Sequence, residues 1–528
     1  MSAEAIRTPF RVSGRTMRII FGGCALLLAC SFPGVAIQAE PPTPELIAWW
    51  TNTPDPGSED PGAPPPAEIT ASLLPTETST PLPSDVSIVD DTPYVYAAQS
   101  GDTLYGLSVR FSVLPEEITS PGAFSPDGLL SPGQLFVIPR RLANTTSNNL
   151  IFPDSEVIYS PSVASFKIEE FVQNAGGYLS TYRQYLGSTG WTSGAEIVAR
   201  VGSENSINPR LLLTLLQYQA GWVYGQPGTA RLETYPMGLI DQNRDGLYAQ
   251  LNWAAEQLSV GYYGWREGYI TEILLLDGSR ARLAPELNAG SVAIHHYLSQ
   301  LFNSTEWLAA TDPAGGLPAL HAGLFGDYWA RAAEVEPLFP PGLSQPEMIL
   351  PFAFNQIWSY SGGPHGAWGR LGARAAIDFA PGSVEPGCVP SDNLVLAAAP
   401  GLLVRSAPGV LVLDLDGDGR EYTGWVLLYL HIATENKIPI GTWVTAGQFI
   451  GNPSCEGGFA TGTHIHIARK YNGEWIPAGG PIPFVLDGWV VGAGNAAYEG
   501  TLTLGDVVIY ASPLGTFETR IIRRYIVP

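Results

Sequence analysis

The stretch Gly462-Thr463-His464-Ile465-His466-Ile467 carries the spacing with the clearest chemical use. Alternate side chains of a strand share a face at about 3.3 Å of rise per residue, so His464 and His466 stand side by side, roughly 7 Å apart. Ile465 and Ile467 then point the other way, into a core. One imidazole of such a pair can bind a metal while its neighbour sits beside whatever the metal activates. Two other segments offer partners. Ala375-Ala376-Ile377-Asp378-Phe379-Ala380 reads as a strand with Ile377 and Phe379 inward and the Asp378 carboxylate on the opposite face. In residues 425–431, alternation places Tyr429 and His431 on one face. Four of the seven histidines (His365, His431, His464 and His466) fall after Met348, so metal-binding side chains concentrate there. Short strands broken by Gly, Pro and Asn turns mark that region as all-β. An aspartate, an isolated histidine and a His-x-His, each at a strand position, can converge on one cleft.

The rest of the chain must bring that cleft to its substrate. At 528 residues the chain is too long for one ordinary domain. A prior of roughly 150 residues per domain suggests three or four. Hydrophobic residues make up 45%, enough for packed cores, while the charged fraction is only 14% and Gly and Pro abound. That balance fits exported β-rich modules joined by linkers better than a cytosolic helical enzyme. The net charge of −22 excludes nucleic acid and an anionic membrane surface as main partners. Arg7, Arg11, Arg15 and Arg18 precede an apolar run, residues 19–29, which is too short to span a membrane comfortably. Residues 1–39 therefore read as an export signal. Two endings stay open. Leu27-Leu28-Ala29-Cys30 resembles a bacterial lipoprotein box with Cys30 as the lipidated residue; alternatively, cleavage after Ala36 or Ala39 frees the chain. Either places it outside the cell or in the cell envelope, touching a membrane only through a signal or lipid anchor. Of four cysteines, Cys24 and Cys30 lie near the apolar run, leaving Cys388 and Cys455 as one pair in the folded part.

Residues 40–92 are rich in Pro, Thr and Ser and read as an extended spacer. At Tyr94-Val95-Tyr96 a short strand begins. Gln99-Ser100-Gly101-Asp102-Thr103-Leu104 turns and caps a helix through Asp102 or Thr103, and Leu104, Leu107, Val109 and Phe111 form a small apolar face. Leu130-Ser131-Pro132-Gly133-Gln134 leads into the strand Leu135-Phe136-Val137-Ile138-Pro139. This βααβ order, with SGDTL at one end and SPGQ-x-x-x-IP at the other, resembles a LysM domain, assigned to 93–141. The resemblance implies binding of N-acetylglucosamine-containing glycans such as peptidoglycan.

A second linker is expected over 142–160 and a helical domain over 161–345. Asn208-Pro209-Arg210 opens one helix, with Pro209 suited to its first turn. The run from Ile207 to Val223 faintly resembles the catalytic helix of lysozyme-like transglycosylases, but Gln219-Ala220 stands where those enzymes carry a glutamate. A glutamine cannot supply the acid that glycosidic cleavage needs, so a non-catalytic glycan-binding relative is the reading. His295, His296 and His321 lack a Cys or acidic neighbour at metal-ligand spacing and read as core or surface residues. Asp414-x-Asp416-x-Asp418-Gly419 and Asp241-x-Asn243-x-Asp245-Gly246 begin like calcium loops. Each lacks the glutamate at the twelfth position and reads as a turn.

The fold class is thus multidomain: a small βααβ module, a helical middle domain and a C-terminal all-β domain over 346–528. In that last domain Ile377-Asp378-Phe379, Tyr429-Leu430-His431 and Thr461-Gly462-Thr463-His464-Ile465-His466 together resemble the lysostaphin and β-lytic zinc metalloendopeptidases, which cut peptide bonds in peptidoglycan. Many members carry a zinc-binding histidine four residues before the aspartate. Arg374 stands there, and arginine cannot bind zinc. His365 lies thirteen residues before Asp378, and the β-lytic branch also places its ligand histidine well upstream of the aspartate, across a Gly-rich loop. The resemblance implies zinc held by His365, Asp378 and His466, with His431 and His464 as catalytic bases or oxyanion partners. It also implies a Cys388–Cys455 disulfide. The function it implies is an exported endopeptidase acting on peptidoglycan, through its GlcNAc glycan and peptide stems, with LysM targeting. Arg374 keeps an alternative open: a non-catalytic wall-binding protein or hydrolase activator.

Overall fold

The computed structural model describes residues 92–524, Val384 excepted, so the expected export signal, Cys30 and nearly all of the spacer lie outside the described residues. The N-terminal module pairs Tyr94–Ala97 antiparallel with Leu135–Ile138. Between them lies the helix Leu104–Phe111, capped by the Thr103 hydroxyl on the Gly106 N–H. Asp102 is not the cap. It is buried, accepting from Tyr96 Oη (2.7 Å) and pairing with Arg110 (2.5 Å). Tyr96, Leu107, Phe111 and Phe136 fill a separate small core. A 3₁₀ turn, Pro115–Glu117, takes the place of the second helix.

The helical domain begins earlier than expected. Residues 150–160, read as the end of a linker, are part of its core. Ile151, Phe152, Val157 and Ile158 are buried there, and Asp154 accepts from Asn288 Nδ2 and the Gly290 N–H, both at 2.7 Å. Pro and Ser neighbours gave the segment a linker texture, but its four apolar side chains are what the domain encloses. Only 142–149 remains as an exposed connection. The centre of the domain is the helix Pro209–Ala220, with Asn208 as its cap, and the long helix Gly246–Arg266 packed on Ala289–Ser299. Two hairpins, Arg183–Leu186 with Gly190–Ser193 and Glu272–Leu274 with Arg280–Arg282, interrupt the helices.

The C-terminal domain is built on an antiparallel sheet. Its neighbours run in the order Trp443–Val444, Gly401–Ala407, Gly409–Asp414, Trp425–Ile432, Ile465–Tyr471, Ala376–Pro381, Ile357–His365 and Arg520–Ile522. Both faces are covered. Ile377, Phe379, Leu427, Tyr429, Ile465 and Ile467 enter the domain's own core. Ala376, Val412, Val426, Leu428 and Ala468 share one core with the helical domain. Strands apolar on both faces are what such double coverage requires.

Polar contacts fix the same junction. Arg266, at the end of the long helix, pairs with Asp154 (2.7 Å) and with Glu474 of the β domain (3.2 Å), and all three side chains are buried. Tyr262 donates to Glu474 (2.9 Å), and the Trp475 N–H donates to Tyr263 Oη (2.9 Å). Removing one partner from a buried ion group leaves the others uncompensated. Arg266→Ala is therefore expected to lower the unfolding free energy by about 3–5 kcal/mol in urea denaturation. A loss below about 1 kcal/mol would mean that Arg266 does not bind the domains together.

Candidate metal centre

The site forms at the middle of the large sheet, on the face turned toward the helical domain. Register alone brings two groups together, because His466 lies directly across from Asp378. Gly362 is the cross-strand neighbour of Asp378 on the other side. A Cβ at 362 would sit 2.6 Å from Asp378 Oδ2, so glycine there makes room for the carboxylate. Two register shifts in the strand Ile357–His365 then carry His365 to the same point.

His431 arrives by a different route from the expected one. Regular alternation would keep it with Tyr429, yet Tyr429 is buried in the β domain's own core, where its hydroxyl accepts from the Ala398 N–H (2.8 Å). A bulge separates the pairs Val410–Leu430 and Gly409–Ile432, and His431 adopts φ 61°. One extra residue in a strand shifts which face the side chains meet. The His431 ring thereby reaches His464 (4.3 Å between centroids) and His466 (6.2 Å).

Hydrogen bonds set the tautomer of each imidazole. His365 donates from Nδ1 to the Gly363 carbonyl (2.8 Å) and His466 from Nε2 to the Ala367 carbonyl (2.9 Å). His431 and His464 donate from Nδ1 to the carbonyls of Glu456 (2.8 Å) and Gly462 (2.7 Å). A carbonyl only accepts, so each of these nitrogens carries a proton, and in the neutral ring the opposite nitrogen keeps the lone pair. Two of those lone pairs face each other: His365 Nε2 lies 2.9 Å from His466 Nδ1. Asp378 Oδ1 stands 3.3 Å from both, buried and without a hydrogen bond among the described residues. Three electron-rich atoms this close call for a cation among them. Tetrahedral bonds of about 2.0–2.1 Å to zinc separate the donor atoms by about 3.3–3.4 Å; the two edges to Asp378 Oδ1 match at 3.3 Å, and the His365–His466 edge is shorter at 2.9 Å. His464 Nε2, 3.9 Å from Asp378 Oδ2, flanks the triangle rather than joining it.

Electrostatics agree with this division. Burial alone would raise the Asp378 carboxyl, but the neighbouring His365 and His466 hold it well below the usual carboxylate range. Burial, with His464 and His466 close by, pushes the His431 imidazole down to about 3, so it stays neutral.

Arg374, the residue that put the site in question, turns away. Its guanidinium donates to Tyr269 Oη (2.5 Å) and lies 3.8 Å from Glu267 on the helical domain. The expected disulfide forms between Cys388 and Cys455, 67 residues apart. In the chain-entropy model closing that loop contributes about 4 kcal/mol. It also anchors the neighbouring Glu456, whose carbonyl holds His431. Tyr498 was not foreseen. Its ring stacks on His365 at 4.2 Å, from a φ of 70°, and nothing in its local sequence marks it. Away from the site, His295 and His321 are core residues as expected. His321 does have an acidic partner, Glu156 (3.2 Å), supplied by the segment read as linker. Asp414 accepts from the N–H groups of Asp416, Gly417 and Gly419, as in a tight turn.

Loss of a ligand should remove metal, and loss of the arginine should not. His365→Ala and His466→Ala are expected to weaken zinc affinity by on the order of 100-fold or more, measured by competition with a chromogenic chelator. Arg374→Met is expected to leave it unchanged. Equal loss in all three would place the metal elsewhere.

Residues 150–338 match the family described as LasA, N-terminal domain. Protease LasA from two strains of Pseudomonas aeruginosa is 28% identical over 291 residues and 27% identical over 292. Each alignment takes in 51% of this chain and 64% of the relative, so the chain spans somewhat less than two thirds of the length of these proteases. Among solved structures, the M23 metalloprotease pseudoalterin, from the deep sea, is 21% identical over 34% of this chain and 100% of its own, with a TM-score of 0.29. The catalytic domain of the antimicrobial peptidase lysostaphin from Staphylococcus simulans is 23% identical over 24% of this chain and 90% of its own, with a TM-score of 0.17. Over half its length, this chain is thus homologous to protease LasA.

Proposed function

We infer that the chain is a zinc-dependent endopeptidase that cleaves peptide bonds of peptidoglycan outside the cell or in its envelope, with the LysM-like module holding it to the glycan. The observation that carries this reading is the convergence of His365 Nε2, Asp378 Oδ1 and His466 Nδ1 within 2.9–3.3 Å, with two more imidazoles beside them. Zinc bound by these three would supply a Lewis acid for the scissile carbonyl and for a water molecule. The protein's own groups do the rest. His464 and His431 keep free Nε2 lone pairs, because their Nδ1 atoms are bonded to carbonyls. Either can hold the attacking water through its lone pair, and His464 can take the proton, return it to the leaving amine and stabilise the oxyanion while protonated. The Gly363 and Ala367 carbonyls hold the ligand rings in the tautomers the metal needs. Homology to protease LasA and the glycan-binding motifs of the first module support a wall substrate.

One observation favours the alternative of a wall-binding protein or hydrolase activator. His365, Asp378, His431 and His466 are only 3–6% exposed, beneath a face shared with the helical domain. Digestion of purified peptidoglycan separates the two. The zinc-loaded chain is expected to release new peptide amino termini. His464→Ala is expected to keep its zinc and lose about 100- to 10,000-fold in rate. A zinc-loaded chain that releases none, while still sedimenting with the wall, would establish the alternative.

A further inference from the structure

A second candidate site lies on the helical domain, apart from the metal centre. It is a cleft of about 620 Å³ between the exposed connection at 144–149, the strand Arg280–Arg282 and the helices Ala289–Ser299 and Ser304–Thr311. That volume lies within the roughly 300–1,000 Å³ of small-molecule sites. Two polar groups on its walls are unmet. His295 is 5% exposed, and its Nδ1 is buried with no hydrogen-bond partner among the described residues. Arg282 Nε is buried and unpartnered in the same way. A buried polar group left without a partner is costly, so it gains from a ligand oxygen that reaches it.

The charged groups on the walls are partly engaged. Arg280 pairs with Glu272 (2.5 Å), and Arg282 Nη2 donates to the Arg110 carbonyl (2.8 Å) of the N-terminal module. Asp312 accepts from the Ala314 N–H (3.2 Å). Burial pushes the His295 imidazole down to about 4, so it is neutral. Short neutral side chains such as Asn149 and Thr311 line the rest, beside Leu308, which is 62% exposed. Neutral hydrogen-bonding groups next to an open apolar surface suit a ligand with hydroxyls on its edges and C–H groups on its face.

We propose that this cleft binds a short uncharged saccharide, whose hydroxyl or N-acetyl oxygens meet His295 and Arg282 and whose C–H face lies on Leu308. The choice of an N-acetylated sugar rests on the wall-hydrolase reading; the site itself does not. Because Arg282 also holds the N-terminal module, the cleft would put a second sugar contact beside the first. The test uses the full chain and tri-N-acetylchitotriose carrying a photoreactive diazirine. After irradiation and digestion, mass spectrometry is expected to find label in peptides covering 144–151 or 307–313. Unlabelled chitotriose should compete and glucuronic acid should not. Leu308→Arg, an exposed change, should reduce labelling there by about tenfold, equivalent to about 1.4 kcal/mol. Label confined to 93–141 or to the β domain, indifference to Leu308→Arg, or competition by the acid alone would overturn the proposal. Zinc retention and peptide release, measured on the same preparation, report on the endopeptidase reading separately. A chain that cleaves but is not labelled in the cleft loses only this inference.

Discussion

Three electron-rich atoms held within 2.9–3.3 Å of one another are the constraint on which this structure depends. The arrangement is unfavourable without a cation, and the protein leaves it little freedom to relax. His365 and His466 are each bonded to a backbone carbonyl through the nitrogen away from Asp378, so neither ring can flip without giving up that bond. Asp378 is fixed between two strands, with Gly362 on one side and His466 on the other. The backbone thus fixes which nitrogen of each ring faces the carboxylate, and with it the cluster of N and O atoms that could hold a metal.

The domains are arranged around the same sheet. Its far face builds the β domain's core, and its near face shares a core with the helical domain through small side chains such as Ala376 and Ala468. The site sits at the edge of that shared core, which is why its histidines are so little exposed. Arg266 extends the junction, joining Asp154 of the helical domain to Glu474 of the β domain. Arg374 belongs to this junction too, through Tyr269 and Glu267, and not to the metal centre.

Much of the centre was legible from strand periodicity and spacing. The His-x-His strand has its isoleucines in the core and His466 facing Asp378, as alternation requires. The relation of His365 to Asp378 followed from a family resemblance, and the structure brings the two within 3.3 Å. The Cys388–Cys455 bond, implied by that resemblance, is present. Other features were not legible, each for a physical reason. His431 reaches the site through a bulge, and a one-residue shift in pairing leaves no mark in a strand that is apolar on both faces. Residues 150–160 carry linker-like Pro and Ser, but their burial depends on helices more than a hundred residues away. Tyr498 contacts His365 through a long-range return of the chain. In each case a tertiary contact decided what local pattern could not.

The measurement that bears most directly on the account is anomalous diffraction at the zinc edge from crystals of the zinc-loaded chain. The account predicts one dominant peak, about 2.0–2.2 Å from His365 Nε2, Asp378 Oδ1 and His466 Nδ1, with His431 and His464 outside bonding distance. A dominant peak at another cluster, or none near these three atoms at full zinc loading, would contradict it.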